Sequence, residues 1–164
     1  RPGPVVIDIP KDIQNFVGEF KGEGLLSFHG WFERLERHQS SRVSAEHGKA
    51  FFDLLKRSER PLIYAGGGVI NSNCAEDLRA FSKYFNIPVV TTLMGIGSVD
   101  TKDERCLHML GMHGTAYANY AVEDCDFLFA VGARFDDRVC GKPAEFAPNT
   151  RHIAHIDISV AIAV

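Results

Sequence analysis

Phe127-Leu128-Phe129-Ala130-Val131 constrains this chain more than any other segment, because five consecutive apolar residues between Asp126 and Gly132 leave no polar face. Such a strand is buried on both sides, the condition of a parallel sheet covered by helices above and below. Gly132-Ala133-Arg134-Phe135-Asp136-Asp137-Arg138 follows at once. In an open parallel sheet ligands lie outside the carboxyl ends of the strands, so this loop, dense with guanidinium and carboxylate groups, stands at a ligand-binding position.

The rest of the chain fits the same plan. Ser44 can cap a helix reaching Lys56, with Ala50, Phe51, Leu54 and Leu55 on one side. Pro61 to Ala65 reads as a short strand ending in Gly66-Gly67-Gly68. Asn71, Ser72 or Asn73 can then cap a helix that turns Leu78, Phe81 and Phe85 inward. Ile87 to Thr91 is the next predicted strand, Thr115 to Val122 a helix offering Tyr117, Tyr120 and Ala121 to the core, and His152 to Ile158 a further strand. Alternating strands and helices predict an α/β fold, an open parallel Rossmann-like sheet with helices on both faces.

Ahead of this pattern, Val5-Val6-Ile7-Asp8-Ile9 is strand-like after a Pro-Gly-Pro turn but has no earlier element to pair with, so the start reads as cut from something longer. From Pro10 to about Arg42 clean periodicity is lost, and the segment reads as a connection anchored by Trp31. The expected division is residues 1–14, a linker over 15–42, and an α/β domain over 43–164.

Composition narrows the function. With a net charge of -3 and 24% charged residues, the chain shows no electrostatic footprint for nucleic acid or an acidic membrane surface. No apolar stretch approaches the ~20 residues of a membrane span. Cys74, Cys106, Cys125 and Cys140 are far apart and read as buried free thiols of a reducing cytosol. His152 and His155 point to opposite faces of a strand, and His29, His38 and His47 lack ligand spacing, so no metal site is expected.

The glycine loops carry the chemistry. A Gly-x-Gly-x-x-Gly count begun at Gly66 and Gly68 puts Asn71 in the third place, and Thr91-Thr92 ends the next strand where a ribose-binding acid should stand. Nicotinamide dehydrogenase chemistry is therefore not expected, and a plain strand-to-helix turn is the preferred reading of that loop. Thr92-Leu93-Met94-Gly95 offers hydroxyl and backbone groups, or is simply a turn. Gly111-Met112-His113-Gly114 precedes a helix, whose first amides suit an anion. Arg134 and Arg138 either pair with the carboxylates between them or, as the preferred reading, grip phosphate or carboxylate.

Residues 1–12 (Arg1-Pro2-Gly3-Pro4-Val5-Val6-Ile7-Asp8-Ile9-Pro10-Lys11-Asp12), Leu62 through Gly68, Thr92 through Gly95, Met109 through Tyr120 and Val131 through Gly141 resemble successive stretches of the acetohydroxyacid synthase (acetolactate synthase) catalytic subunits, thiamine-diphosphate enzymes of branched-chain amino-acid synthesis. The resemblance covers nearly everything except roughly residues 15 to 42 and the last few. It implies that this is the central domain, holding a structural FAD. It further implies that Arg1, Gly66, Gly67, Gly68, Thr92, Leu93, Met94, Gly111, Met112, His113, Gly114, Gly132, Arg134, Asp136, Arg138 and Asp157 surround the flavin.

The same resemblance gives Arg138 the carboxylate of a second 2-oxo acid, with Asp137 orienting it, and places Lys11, Met112 and Arg138 along the substrate channel. Thiamine diphosphate and Mg²⁺ are expected on domains outside this chain. A homodimer or homotetramer, a small regulatory subunit, and a cytoplasmic or plastid location are expected for the whole enzyme. Ser159 to Val164 departs from the family's continuation, so a further strand and helix are expected to be missing, and isolated residues 1–164 are expected to bind FAD weakly. The alternatives are the central domain of another thiamine-diphosphate enzyme, of the glyoxylate carboligase, pyruvate oxidase or oxalyl-CoA decarboxylase type, or a non-catalytic nucleotide-binding module.

Overall fold

The computed structural model describes residues 3–19, 21, 30, 33, 43–157 and 160–163. The chain divides into two compact units, Arg1–Glu36 and Arg37–Val164. In the first, a four-residue helix α1 spans Lys11–Gln14. Val5 to Ile9, expected as a strand, pairs with no strand among the described residues, and Val6 is 91% exposed. Its apolar, β-branched composition finds no neighbouring strand among the described residues to satisfy the backbone, so it forms no sheet with them. Trp31 and most of the connecting segment lie outside the described residues, as does Arg1.

The second unit is built on six strands: β1 Pro61–Ala65, β2 Val89–Thr91, β3 Cys106–Met109, β4 Phe127–Val131, β5 His152–Asp157 and β6 Val160–Ala163. Their order is β3-β2-β1-β4-β5-β6, the first five parallel and β6 antiparallel to β5. Starting from β1 the chain winds outward to β2 and β3, then returns to lay β4 against the free side of β1. The reversal puts a topological switch point between the carboxyl ends of β1 and β4.

Side-chain alternation sends Leu62, Tyr64, Leu128 and Ala130 to one face, where they meet Ala118 and Val122 of the helix Ala116–Asp124. Ile63, Ala65 and Val89 point the other way, toward Leu78 of the helix Ala75–Phe85 and Leu55 of the helix Ala45–Leu55. In chain order these helices are α2 (Ala45–Leu55), α3 (Gly67–Asn71), α4 (Ala75–Phe85), α5 (Ala116–Asp124) and α6 (Asp137–Cys140). Burial of Leu62, Ile63 and Leu128 contributes about 1.5–3 kcal/mol each, so the paired central strands hold both layers together.

Several expectations need correction. Tyr117 and Tyr120 are 50% and 64% exposed, while Ala118 and Val122 are buried with Ala121 beside them. Small side chains let α5 lie close to the sheet, which bulky tyrosines would prevent. None of Asn71, Ser72 or Asn73 caps α4. Asn71 ends α3, Ser72 donates its hydroxyl to Gly68 O at 2.8 Å, and Asn73 takes a left-handed turn at φ 57. Phe85 lies at the rim of the aromatic layer, partly exposed, with its ring 4.7 Å from Phe81. β2 starts at Val89 rather than Ile87 because Pro88 and Ile87 serve the turn, the Ile87 N–H donating to Ser82 O.

β3 was not expected at all, and its pairing with β2 is irregular around His108, whose φ is 62. The wholly parallel sheet is also corrected: after the five parallel strands, Val160–Ala163 pairs antiparallel with β5. Cys74 is exposed and Cys140 half-buried, leaving Cys106 and Cys125 as the buried thiols. His47 stands in the first turn of α2, where its N–H donates to Ser44 Oγ at 3.1 Å.

Candidate functional site

Because β1 to β5 run parallel, the loops after them share one rim. Along it, in sheet order, stand Gly111–Gly114 after β3, Thr92–Gly95 after β2, Gly66–Gly68 after β1, Gly132–Arg138 after β4 and Asp157 at the end of β5. The predicted residues of this unit are thus brought to one side of the sheet. Lys11, exposed at the start of α1, belongs to the other unit.

Close backbone packing joins these loops. The Gly66 and Gly68 N–H groups donate to Val131 O and Gly132 O, each at 2.9 Å. A Cβ on Gly66 would lie 2.2 Å from Gly132 O, and one on Gly68 would lie 2.6 Å from Gly132 Cα. The triple glycine therefore serves loop-to-loop contact at the switch point, in keeping with the plain-turn reading. Gly67 approaches Met94, and Thr92 Oγ1 accepts from the Gly95 N–H at 3.0 Å to cap the turn Leu93–Gly95.

Farther along, the Met112 N–H donates to Arg138 O at 3.1 Å, tying the loop after β3 to the loop after β4. Asn119 on α5 brackets the Gly111 peptide, accepting from its N–H at 2.8 Å and donating to its carbonyl at 3.1 Å. Thr115 Oγ1 caps α5 by accepting from the Ala118 N–H at 3.3 Å.

The charged cluster is loosely paired. Arg134 Nη2 stands 3.6 Å from Asp136 Oδ2, and Arg138 Nε 3.9 Å from Asp137 Oδ2. Both separations exceed those of a charge-assisted hydrogen bond, and both arginines are largely exposed, so the pairs hold little energy and the guanidiniums stay available. Asp136 Oδ1 is buried and has no hydrogen-bond partner among the described residues. An acceptor in that state is costly unless a donor reaches it. Leu93, Met94 and Met112 are exposed on the same rim and offer apolar surface.

Behind the cluster, burial raises the Tyr64 hydroxyl above its ordinary range, with Cys140 and Asp136 adding to the effect, so the phenol stays protonated and donates to Arg134 O at 2.9 Å. Burial and nearby Asp136 likewise raise the Cys140 thiol. His155 Nε2 lies 2.9 Å from Ala133 O. Sequence reasoning missed Tyr64, Asn119 and His155 because their contacts span 70, 8 and 22 residues and follow no motif.

A cleft of ≈ 430 Å³ opens beside β3, lined by Thr91, His108, Met109, His113 and Tyr117, and adjoins the rim at His113. Another, of ≈ 380 Å³, lies at the amino ends of β1, β4 and β5 among Arg57, Arg60, Asp126 and Arg151, and contains none of the predicted site residues. Among the described residues no group of three or more His, Cys, Asp or Glu is placed to hold a metal ion, and no helix is long and apolar enough to cross a membrane.

Residues 49–162 match the family described as "Thiamine pyrophosphate enzyme, central domain". The chain is 46% identical over 165 residues to "Acetolactate synthase large subunit" of Parasynechococcus marenigrum (strain WH8102), covering 98% of this chain and 25% of that protein. It is 45% identical over 161 residues to "Acetolactate synthase, chloroplastic" of Arabidopsis thaliana, covering 98% and 23%. Against "Acetolactate synthase 3, chloroplastic" of Brassica napus the identity is 48% over 161 residues, covering 98% and 24%. The chain spans about a quarter of the length of these relatives. With a parallel sheet, a glycine-lined rim and a family match over most of its length, this chain is similar to acetolactate synthases and belongs to the central-domain family of thiamine pyrophosphate enzymes.

Proposed function

We propose that this chain is the central, FAD-holding domain of an acetolactate synthase, an enzyme that condenses two pyruvates, or pyruvate and 2-oxobutyrate, with loss of CO₂. The observation that carries the cofactor reading is Asp136 Oδ1, buried and unpartnered on a rim that also presents Arg134 and Arg138. This set suits a dinucleotide, since a carboxylate oxygen accepts from a ring N–H or sugar hydroxyl and a guanidinium binds diphosphate. Exposed Leu93, Met94 and Met112 suit its flat ring. FAD supplies a structural brace there and does not turn over in the main reaction.

Thiamine diphosphate, with Mg²⁺, supplies the electron sink for decarboxylation and is bound by other domains. This chain's part in the chemistry is recognition: Arg138 forks onto the carboxylate of the second 2-oxo acid, and Asp137, 3.9 Å from its Nε, orients it. Residues 1–14 are read as the tail of the preceding domain and 43–164 as the central one. The whole enzyme is proposed to be a homodimer or homotetramer with a small regulatory subunit, in the cytoplasm or a plastid.

The test is the full-length protein assayed for acetolactate from pyruvate, with Arg138→Ala beside the wild type. The variant is expected to impair capture of the second 2-oxo acid more than release of the first CO₂. Equal loss in both half-reactions defeats the role given to Arg138, and carboligation of glyoxylate in place of pyruvate favours another thiamine-dependent enzyme.

A further inference from the structure

The loop after β4 is held by two side chains that the proposed function leaves without a role. Tyr64 and His155 both align with Ala130, Tyr64 from β1 on one side and His155 from β5 on the other, so the three residues form one cross-strand row. From its ends the row reaches two successive carbonyls: Tyr64 Oη donates to Arg134 O, and His155 Nε2 approaches Ala133 O, both at 2.9 Å. A carbonyl only accepts, so His155 carries its proton on Nε2. Ala130 contributes only a methyl group between two large rings. Phe135 meets both edge-on, at 5.5 Å from Tyr64 and 5.2 Å from His155. Asp136, with its buried unpartnered oxygen, is the next residue.

We propose that Tyr64 and His155 are a positioning pair: by fixing the Ala133 and Arg134 carbonyls and clamping Phe135, they aim the Asp136 acceptor and the Arg134 guanidinium at a dinucleotide on the rim. The inference rests on the flavin reading of that rim and adds which residues set its affinity. Both side chains bond to loop carbonyls, and neither is assigned a contact with the ligand. Their effect passes through the loop backbone, where a shift of an ångström misplaces both polar contacts at once.

The experiment is an FAD titration of the full-length protein by flavin fluorescence, alongside thermal unfolding without FAD. Tyr64→Phe keeps the ring and removes the hydroxyl; His155→Leu removes the donor, and His155→Gln restores a side-chain N–H. Tyr64→Phe and His155→Leu are each expected to weaken FAD binding about tenfold, the equivalent of one lost buried hydrogen bond, and His155→Gln to recover most of it. Ser82→Ala removes a comparable buried bond, Ser82 Oγ to Ile87 O at 2.7 Å, away from the rim. It is expected to lower the unfolding temperature without changing FAD affinity. Unchanged affinity in Tyr64→Phe and His155→Leu, or an equal loss in Ser82→Ala, overturns the inference while leaving the flavin reading standing. Failure of the wild-type protein to bind FAD overturns both.

Discussion

The Gly68 N–H donates to Gly132 O at 2.9 Å, and this bond fastens the turn after β1 to the turn after β4 across the switch point of the sheet. Gly132 adopts φ +56, and a Cβ there would stand 2.7 Å from Gly68 Cα. Gly132→Ala therefore combines left-handed strain with overlap against backbone that cannot swing away. It is expected to cost more than about 3 kcal/mol, the upper end of left-handed strain alone. Gly141, at φ +55 and ψ -105 with nothing within 4 Å of a Cβ, isolates the conformational part, so Gly141→Ala should cost about 1–3 kcal/mol, less than Gly132→Ala. Urea midpoints of the two variants check this, and equal midpoints would remove the packing explanation.

Asn119 supplies the second fastening. Its carboxamide satisfies both groups of the Gly111 peptide, and Gly111 itself is held at φ +94. Asn119→Ala is expected to destabilise by about 1–2 kcal/mol and to speed hydrogen exchange at the Gly111 amide. Asn119→Asp keeps the acceptor but sets a second oxygen against the Gly111 carbonyl, so it should rescue neither stability nor protection. Native-like exchange at Gly111 in Asn119→Ala would show that the bracket does not hold the loop.

Acid stability should depend on Asp126. Partial burial acts to raise its pKa, but donors from Ser58 Oγ and the Glu59 and Arg60 N–H groups outweigh this and hold it below the ordinary carboxylate value. A carboxylate lowered on folding adds stability that is complete above its unfolded pKa of about 3.9 and disappears as pH falls through the folded value. Asp126→Ala is thus expected to be less stable at neutral pH and to show a shallower loss of stability below about pH 4. A fall as steep as that of the wild type would assign the acid sensitivity elsewhere.

Central elements were legible in the sequence because their constraints are local. Pro61–Ala65 and Phe127–Val131 are apolar throughout, as strands buried on both faces must be, and Ser44 announces α2 by its cap. Misreadings arose where a tertiary neighbour decides. Large aromatics at 117 and 120 suggested an inner face, yet the close approach of α5 admits Ala118, Ala121 and Val122 instead. β3 was hidden by a short, mixed composition and by the left-handed His108 within it. Gly66–Gly68 was legible as a tight turn, whereas its partner Gly132 is visible only once β1 and β4 lie side by side. The charged residues of the candidate site stand together in sequence from Arg134 to Arg138, but the side chains holding that loop come from β1 and β5.

The central claim is that this rim binds a flavin dinucleotide through the Asp136 acceptor. Its most direct test is titration of the full-length protein with FAD, read beside ADP and NAD, for the wild type and Asp136→Leu. The account predicts that the wild type binds FAD more tightly than ADP or NAD and that Asp136→Leu loses at least about tenfold in FAD affinity, as expected for a buried carboxylate contact. No preference for FAD in the wild type, or full affinity in Asp136→Leu, would contradict it.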